Sequence, residues 1–253
     1  MPHRRAYDRQ MARALGANGH GNSMTLSIIM PVLDEEATIA DALGALASWR
    51  ASGVEVIVAD GGSRDRTVEI ARPHCNHVIV AARGRGAQMN AGAAAVRGDV
   101  LLFLHADTRL PPEGPRLLLH ALERSERAWG RFDVCIAGRH PLLPLIAVLM
   151  NVRSRLTGIA TGDQAMFVRR EAFAAVGGFP DIALMEDVVL SRRLKRLTRP
   201  LCLSARVTTS GRRWDQQGWL RTVVLMWRLR LALFLGAEPR DLARAYGYDP
   251  RGP

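Results

Sequence analysis

The feature that most limits what this chain can fold into is a repeated alternation in its first half. Four short apolar runs, Leu26–Leu33, Val54–Ala59, Val78–Ala81 and Val100–Leu104, are separated by stretches of helical character at Glu36–Trp49, Asp65–Arg72 and the alanine-rich Gly86–Val96. Apolar runs of strand length joined by crossover helices predict a parallel sheet covered on both faces. Ligands of such sheets sit outside the carboxyl ends of the strands. Past Pro111 the alternation weakens. A helix is expected over Glu113–Arg127, a strand at Phe132–Ile136, an apolar helix at Leu142–Leu156 and a strand at Ala165–Arg169. A short helix at Glu171–Val176 and a longer amphipathic one at Met185–Leu197 follow. No repeat, low-complexity tract or linker interrupts the pattern, so residues 24–246 are expected to form one α/β domain with a helical segment at about 215–246.

Charged residues stand where the strands should end. Asp34 and Glu35 follow the first run, Asp60 the second, Arg83 and Arg85 the third, and His105 and Asp107 the fourth, in "LLFLHADTRL". A single carboxylate at a strand end is ordinarily a turn or helix cap. Four such groups in register on one edge would instead line a single crevice holding carboxylates and guanidiniums together. Arg83-Gly84-Arg85-Gly86 opens a helix, where small residues let backbone approach a ligand and the helix N-terminus favours an anion. It is equally the composition of a solvated loop, and it is not a Walker motif. His105 and Asp107 lie two apart on an extended segment and can face the same way. An imidazole and a carboxylate suit Mn²⁺ or Mg²⁺, with water and substrate phosphates completing the shell. "HADT" has the shape of an Asp-X-Asp-X-Thr phosphatase signature, but His105 stands where that chemistry needs a nucleophilic Asp.

Composition bounds the rest. The chain of 253 residues carries a net charge of +11, unevenly spread. Residues 1–23 hold four Arg against one Asp, and residues 192–253 hold thirteen Arg and Lys195 against four acids. Arg outnumbers Lys 34 to one. That bias follows genome base composition as readily as function, so the charge is not read as nucleic-acid binding. The three scattered cysteines read as reduced thiols, which with the absence of a leader-like apolar stretch points to a cytoplasmic protein. No run of about 18 uncharged apolar residues predicts a membrane span. Residues 1–23 read as a disordered basic tail, or as an extension ahead of a start at Met24. Gly218–Leu235 contains Arg221, Arg228 and Arg230, which do not share one helical face. Burial or self-association, giving a homo-oligomer through this helix, is favoured there over peripheral contact with the inner membrane face.

The segments "SIIMPVLDEEATI", "VIVADGGSRDRT", "GRGAQMNAGA", "FLHADT", "TGDQAMFVRR" and "MEDVVLSRRLKR" occur in that order. In this the chain resembles family 2 glycosyltransferases of the GT-A fold, and within them the radical-SAM/selenodomain-associated transferase 2, or arsenosugar-biosynthesis-type, subgroup. The resemblance runs from about Met24 to Tyr246. It implies a Rossmann-like, mostly parallel sheet with helices on both faces and a nucleotide-sugar donor, by family habit UDP-linked, bound across the first half. Pro31, Leu33 and Glu35 would flank the nucleotide, and Asp60 would contact the base or ribose. Arg83, Arg85 and Gln88 would lie by the diphosphate with Ala106 close by. Asp107 ends the Asp-X-Asp motif that holds the divalent metal, with His105 in place of its first Asp; Asp34 replaces a more usual Asn. Gly162, Asp163 and Gln164 match the acceptor-side motif. In "MEDVV" the Glu186-Asp187 pair sits at a helix start, where capping alone would account for it; by resemblance Asp187 is the general base of an inverting transfer. Arg212-Arg213-Trp214 would close over donor phosphates or simply form a basic loop. A nucleotidyltransferase on a related sheet is the alternative enzyme, but that class puts its glycine-rich loop where this chain has "PVLDEEA". A protein that binds nucleotide sugars without turnover is the other alternative.

Overall fold

A computed structural model describes residues 24–247. The predicted tail, residues 1–23, lies outside the described residues. Strands β1 (Leu26–Val32), β2 (Glu55–Asp60), β3 (His77–Val80), β4 (Val100–Phe103), β5 (Thr108–Arg109), β6 (Trp129–Ala137), β7 (Phe167–Arg169) and β8 (Leu201–Ser210) form one sheet in the order β3-β2-β1-β4-β7-β6-β8-β5. β3, β2, β1 and β4 are mutually parallel, and β6 runs parallel to β8. β7 is antiparallel to both β4 and β6, and β5 is antiparallel to β8. Two reversals restore direction, so β6 and β8 point the same way as the first four strands. The carboxyl ends of six strands therefore share one edge.

The helices are α1 (Ile39–Gly44), α2 (Ala47–Ala51), α3 (Thr67–Ala71), α4 (Arg85–Ala95), α5 (Gly114–Glu123), α6 (Leu143–Thr157), α7 (Arg170–Ala175), α8 (Glu186–Leu194), α9 (Arg212–Gln217), α10 (Trp219–Phe234) and α11 (Pro239–Tyr246). Strand residues alternate between two cores, as period-two side chains must. Ile28, Met30, Val58 and Leu102 pack with α1, α5 and α6 on one face; Ile29, Ile57, Leu101 and Phe103 pack with α4, α7 and α8 on the other. The helix α4 comes close enough that a Cβ on Gly92 would stand 2.5 Å from Ile29 Cγ2. A third, smaller core joins Leu184, Met185 and Val188 to Leu229 of α10 and Leu242 of α11.

Two expectations change. The helix expected at Glu36–Trp49 begins later and breaks into α1 and α2, because its first residues are taken by another loop. Glu35 N–H donates to Thr67 Oγ1 at 2.7 Å and Glu36 N–H to Asp65 Oδ2 at 3.1 Å. Side chains that satisfy backbone groups in this way compete with helical hydrogen bonds. The Arg212–Trp214 stretch is helical rather than a loop, and the strand β8 was not anticipated at all. Only Val207 and Thr209 of β8 are buried, so its apolar signal is weak.

Candidate functional site

The loops after β1, β2, β3 and β4 open on the shared edge, since Val32 pairs with Asp60 and Asp60 with Val80. The first two are laced together. Asp60, buried, accepts from the N–H of Gly62 at 2.9 Å and from the N–H and Oγ of Ser63. Asp34 accepts from Arg64 N–H at 2.8 Å while its own N–H donates to Ser63 Oγ. Glu35 accepts from Thr38 Oγ1 at 2.6 Å. Buried Gln88 donates from Nε2 to the carbonyls of Val32 and Ala59, at 2.7 and 2.8 Å, and so clamps the ends of β1 and β2. Both amide hydrogens are thereby used, which places Gln88 behind the rim rather than on it. Pro31 and Leu33 are half-buried along this rim, and Ala106 is buried. Arg83 is exposed, and Arg85, the first residue of α4, is half-buried.

The other half of the site centres on Asp187. Its Oδ2 accepts from Gly162 N–H at 2.8 Å and its Oδ1 from Val188 N–H at 2.6 Å, so the carboxylate both caps its own helix and fixes the turn at Gly162–Gln164. That turn is closed by a capping box between Thr161 and Gln164, and Thr161 Oγ1 also donates to Asp163. The Cε1–Nε2 edge of His105 abuts the turn: a Cβ on Gly162 would stand 2.5 Å from Cε1 and 2.7 Å from Nε2. Burial, then Arg85, lowers the His105 pKa against the pull of Asp107, Asp163 and Asp187. Burial raises the Asp163 carboxyl. Burial and then Asp187 push Glu186 up to about 7, with Arg85 opposing. His105, Asp163, Glu186, Asp187 and Arg85 therefore share one electrostatic environment.

Three non-glycine residues among those described have positive φ: Asp34, Ala165 and Met185, at 52°, 46° and 68°. Each immediately borders this edge, and strain of that kind gathers where geometry is functional. The loop before α8 is also tied to α4. Asn90 exchanges two hydrogen bonds of 2.9 Å with the backbone of Phe179, and a Cβ on Gly86 would lie 2.8 Å from Pro180 O. The two halves are thus held in fixed relation by α4.

Asp107 is exposed, and its carbonyl accepts from Ser210 N–H at 3.1 Å. Beside it an open cavity of about 620 Å³ is lined by Ala137, Arg139, His140, Ser210, Arg212 and Trp214. No cluster of three ligating side chains occurs among the described residues. The donor set is one exposed carboxylate, which among the described residues accepts only from Thr108 Oγ1 at 3.2 Å, and one imidazole held toward its neutral form. That fits a hard ion that keeps most of its shell as water and phosphate oxygens. Nothing in the sequence marks a role for Arg153 of α6, and Arg230 of α10 stands out only as lying off the face shared by Arg221 and Arg228. Arg153 lies near enough to Asp163 and Asp187 to feel both charges, a juxtaposition that spacing alone does not show.

A mostly parallel sheet carrying strand-end loops, a helix opposite them that starts at buried Glu186 and half-buried Asp187, and an exposed Asp after β4 match the GT-A fold. The sequence pattern described as "Glycosyl transferase family 2" matches residues 27–177, and the chain belongs to that family. It is similar to the undecaprenyl-phosphate 4-deoxy-4-formamido-L-arabinose transferase of Pseudomonas paraeruginosa, at 31% identity over 57% of this chain and 46% of the relative. It is also similar to the probable glycosyltransferase YdaM of Bacillus subtilis, at 27% identity over 81% of this chain and 53% of the relative. The chain thus spans about half the length of these relatives. Among solved structures, S. aureus TarS 1-349 superposes with TM-score 0.61 at 19% identity, over 74% of this chain and 61% of that one. Glucosyl-3-phosphoglycerate synthase from Mycobacterium tuberculosis, crystallised with Mn²⁺, UDP and phosphoglyceric acid, superposes with TM-score 0.56 at 22% identity, over 78% and 72%. At those identities the likeness is one of fold.

Proposed function

We propose that this family 2 glycosyltransferase moves a sugar from a UDP-sugar to an acceptor hydroxyl with inversion, and that it belongs to the radical-SAM-associated subgroup its motifs resemble. One observation carries the reading. The Asp187 carboxylate is held by two backbone N–H groups at the start of α8, against the turn on which His105 rests.

In the proposed reaction the acceptor oxygen forms a bond to the anomeric carbon as the bond to the UDP oxygen breaks, and the acceptor proton passes to Asp187. Two N–H donors keep the Asp187 carboxylate aimed, and each oxygen retains a lone pair for the incoming proton. Glu186, with its pKa near 7, remains partly protonated beneath it and adds less than a full charge to the pair. Pro31, Leu33, Glu35, Asp60 and Ala106 line the donor seat, with Gln88 holding its floor. Arg83 and Arg85 face the leaving diphosphate, where fixed positive charge stabilises the departing oxygen. Asp107, with His105 as second ligand, would hold a Mn²⁺ or Mg²⁺ ion. Such an ion supplies charge neutralisation at the diphosphate. Gly162, Asp163 and Gln164 shape the acceptor side.

The domain is a single unit of residues 24–246, with α9 to α11 packed on it as its C-terminal segment. The outward row Leu220, Val224, Trp227 and Leu231 on α10 is exposed, and the exposed Arg221 and Arg228 flank it. An apolar row edged by arginine suits an anionic lipid surface, which supports peripheral placement at the inner face of a membrane. Calorimetry with UDP and Mn²⁺, followed by turnover of a panel of UDP-sugars, tests the function. Binding without any sugar release under any acceptor would leave a non-catalytic binder, and release of pyrophosphate from a nucleoside triphosphate would point to the nucleotidyltransferase alternative.

A further inference from the structure

Arg131, buried, and Arg153, half-buried, are arginines on adjoining elements that meet opposite fates. Arg131, fully buried in β6, finds a partner for every arm: Nε donates to Ser154 Oγ, Nη2 to Asn151 O, and Nη1 pairs with Asp133. Asp133 is shared with Arg155, whose Nη2 donates to it at 2.6 Å. Arg153 stands on the same helix as those partners, between Asn151 and Arg155. Its Nε and Nη2 are nonetheless buried with no acceptor among the described residues, and so is Nε of Arg230. Buried N–H groups almost always have a partner, so three orphans on two guanidiniums call for an explanation.

Those two guanidiniums also lie close enough to repel each other. Burial first, and then Arg230, pushes the Arg153 pKa down to about 10. Like charges held together in a part-buried place are costly unless something anionic comes between them. The nearby carboxylates Asp163 and Asp187 offset part of this charge from a distance, but neither accepts a hydrogen bond from the orphaned Arg153 Nε and Nη2. Arg230 is next to Leu229, which packs on Met185 and Val188 at the start of α8. The pair therefore sits beside Asp187, supplied by α6 and α10, whereas Arg85 approaches from α4.

We propose that Arg153 and Arg230 together seat an anionic group, a phosphate or carboxylate, carried by the acceptor whose hydroxyl meets Asp187. Guanidiniums present forked donors that match the oxygens of such a group. The inference rests on the glycosyltransferase reading for what the anion belongs to, but the seat itself can be tested without turnover.

The experiment uses the full chain saturated with UDP and Mg²⁺, so that Arg83 and Arg85 are already engaged, and titrates inorganic phosphate and decyl phosphate by calorimetry. Wild type should bind phosphate, and Arg153→Gln or Arg230→Gln should weaken it by roughly tenfold or more, with UDP affinity within about twofold. Much tighter binding of decyl phosphate would identify a lipid source for the anion, and equal binding a soluble one. No phosphate binding by the UDP-loaded wild type, or equal binding by the variants, would overturn the proposal. Failure of UDP to bind would instead strike the donor reading, and phosphate titrated without UDP would still report on the seat. Arg153→Met guards against misfolding. Removing an unpaired buried cation should raise the melting temperature in phosphate-free buffer and abolish stabilisation by phosphate. A fall in melting temperature that is the same with and without phosphate would mark Arg153 as structural and end the proposal.

Discussion

The two halves of the site are built on opposite principles. In the half assigned to the donor, Asp34, Glu35, Asp60 and Gln88 are engaged with backbone groups or neighbouring hydroxyls, and the loops after β1 and β2 hold each other in place. In the half assigned to the acceptor, Glu186 and Asp163 are carboxyls pushed up by burial, and Arg153 is a cation pushed down by it. The first half is shape, complete before any ligand arrives. The second keeps charge in unfavourable places, as sites that do proton and anion chemistry commonly do. A ligand should therefore change the second half more than the first.

Asp187→Asn is the hardest test of that contrast. Loss of the carboxylate should lower the single-turnover rate by roughly 10²–10⁴-fold while UDP binding persists. The substitution is not electrically silent in the fold. Asn presents one acceptor oxygen to two N–H donors, Gly162 and Val188, so its amide group must face one of them. A stability loss of about 1–3 kcal/mol should accompany the rate loss. Reduced stability with near-wild-type turnover would leave Asp187 a helix cap and turn anchor only.

Glu186 gives the next largest effect. A glutamate ordinarily ionises near 4.5, whereas buried Glu186 does so near 7. Between those values the folded chain keeps a proton that the unfolded chain has released. The Glu186 contribution to stability must then fall as pH rises from about 4.5 to about 7 and level off above, while buried His105, whose pKa is lowered, acts in the opposite direction. Asp163, also raised, acts in the same direction as Glu186. Glu186→Gln should flatten the fall, with a gain of order 3 kcal/mol at pH 8 and little change near pH 4.5. Urea midpoints across this range decide it, and parallel curves for the two proteins would break the contrast between the halves.

Asp107→Ala addresses the first half. Asp107 is exposed and contributes little to packing, so the fold should tolerate the change. Metal-dependent UDP affinity should drop roughly tenfold or more, while UDP affinity in chelator should be unchanged. Equal affinities with and without Mn²⁺ in the wild type would remove the metal from this reading.

The donor half was also the more legible in sequence, for a physical reason. Strands buried on both faces show as unbroken apolar runs, so β1, β2 and β4 and the charged residues at their ends could be read directly. The clasp between the loops could not, because Asp65 and Thr67 reach back to Glu35 and Glu36 from the next crossover. On the other side, β8 hid because one face carries Ser204, Arg206 and Thr208, and its pairing with β6 shifts register at Phe132/Asp133. Asp187 was visible through its motif. Arg153 and Arg230 were not, since neither has meaning until α6 and α10 are packed together. The sequence of Gly218–Leu235 predicts a buried or self-associating helix; one face is buried through Leu229, but the opposite face is open.

That open face yields the smallest expected effect. Leu220, Val224, Trp227 and Leu231 recur at helical spacing on α10, and on α6 the exposed Leu145, Val148, Leu149, Val152 and Leu156 do the same. Each row is too short to enter a bilayer as a span, and no described helix is long and apolar enough to cross one. Partial burial of such a row in a lipid interface, helped by Arg221 and Arg228, should give weak binding to anionic vesicles that declines between low and moderate salt. Replacing Trp227 by Ser removes the largest side chain of the row and should lower vesicle partitioning several-fold, with the melting temperature and UDP binding unchanged. Co-sedimentation at two salt concentrations, run beside sedimentation velocity without lipid, separates the occupants of this face. If the wild type is a dimer without lipid and Trp227→Ser makes it a monomer, the row is a contact between copies of the chain and the membrane reading is lost. If the wild type is monomeric and its vesicle binding falls with both salt and the substitution, the acceptor half of the site faces a lipid surface.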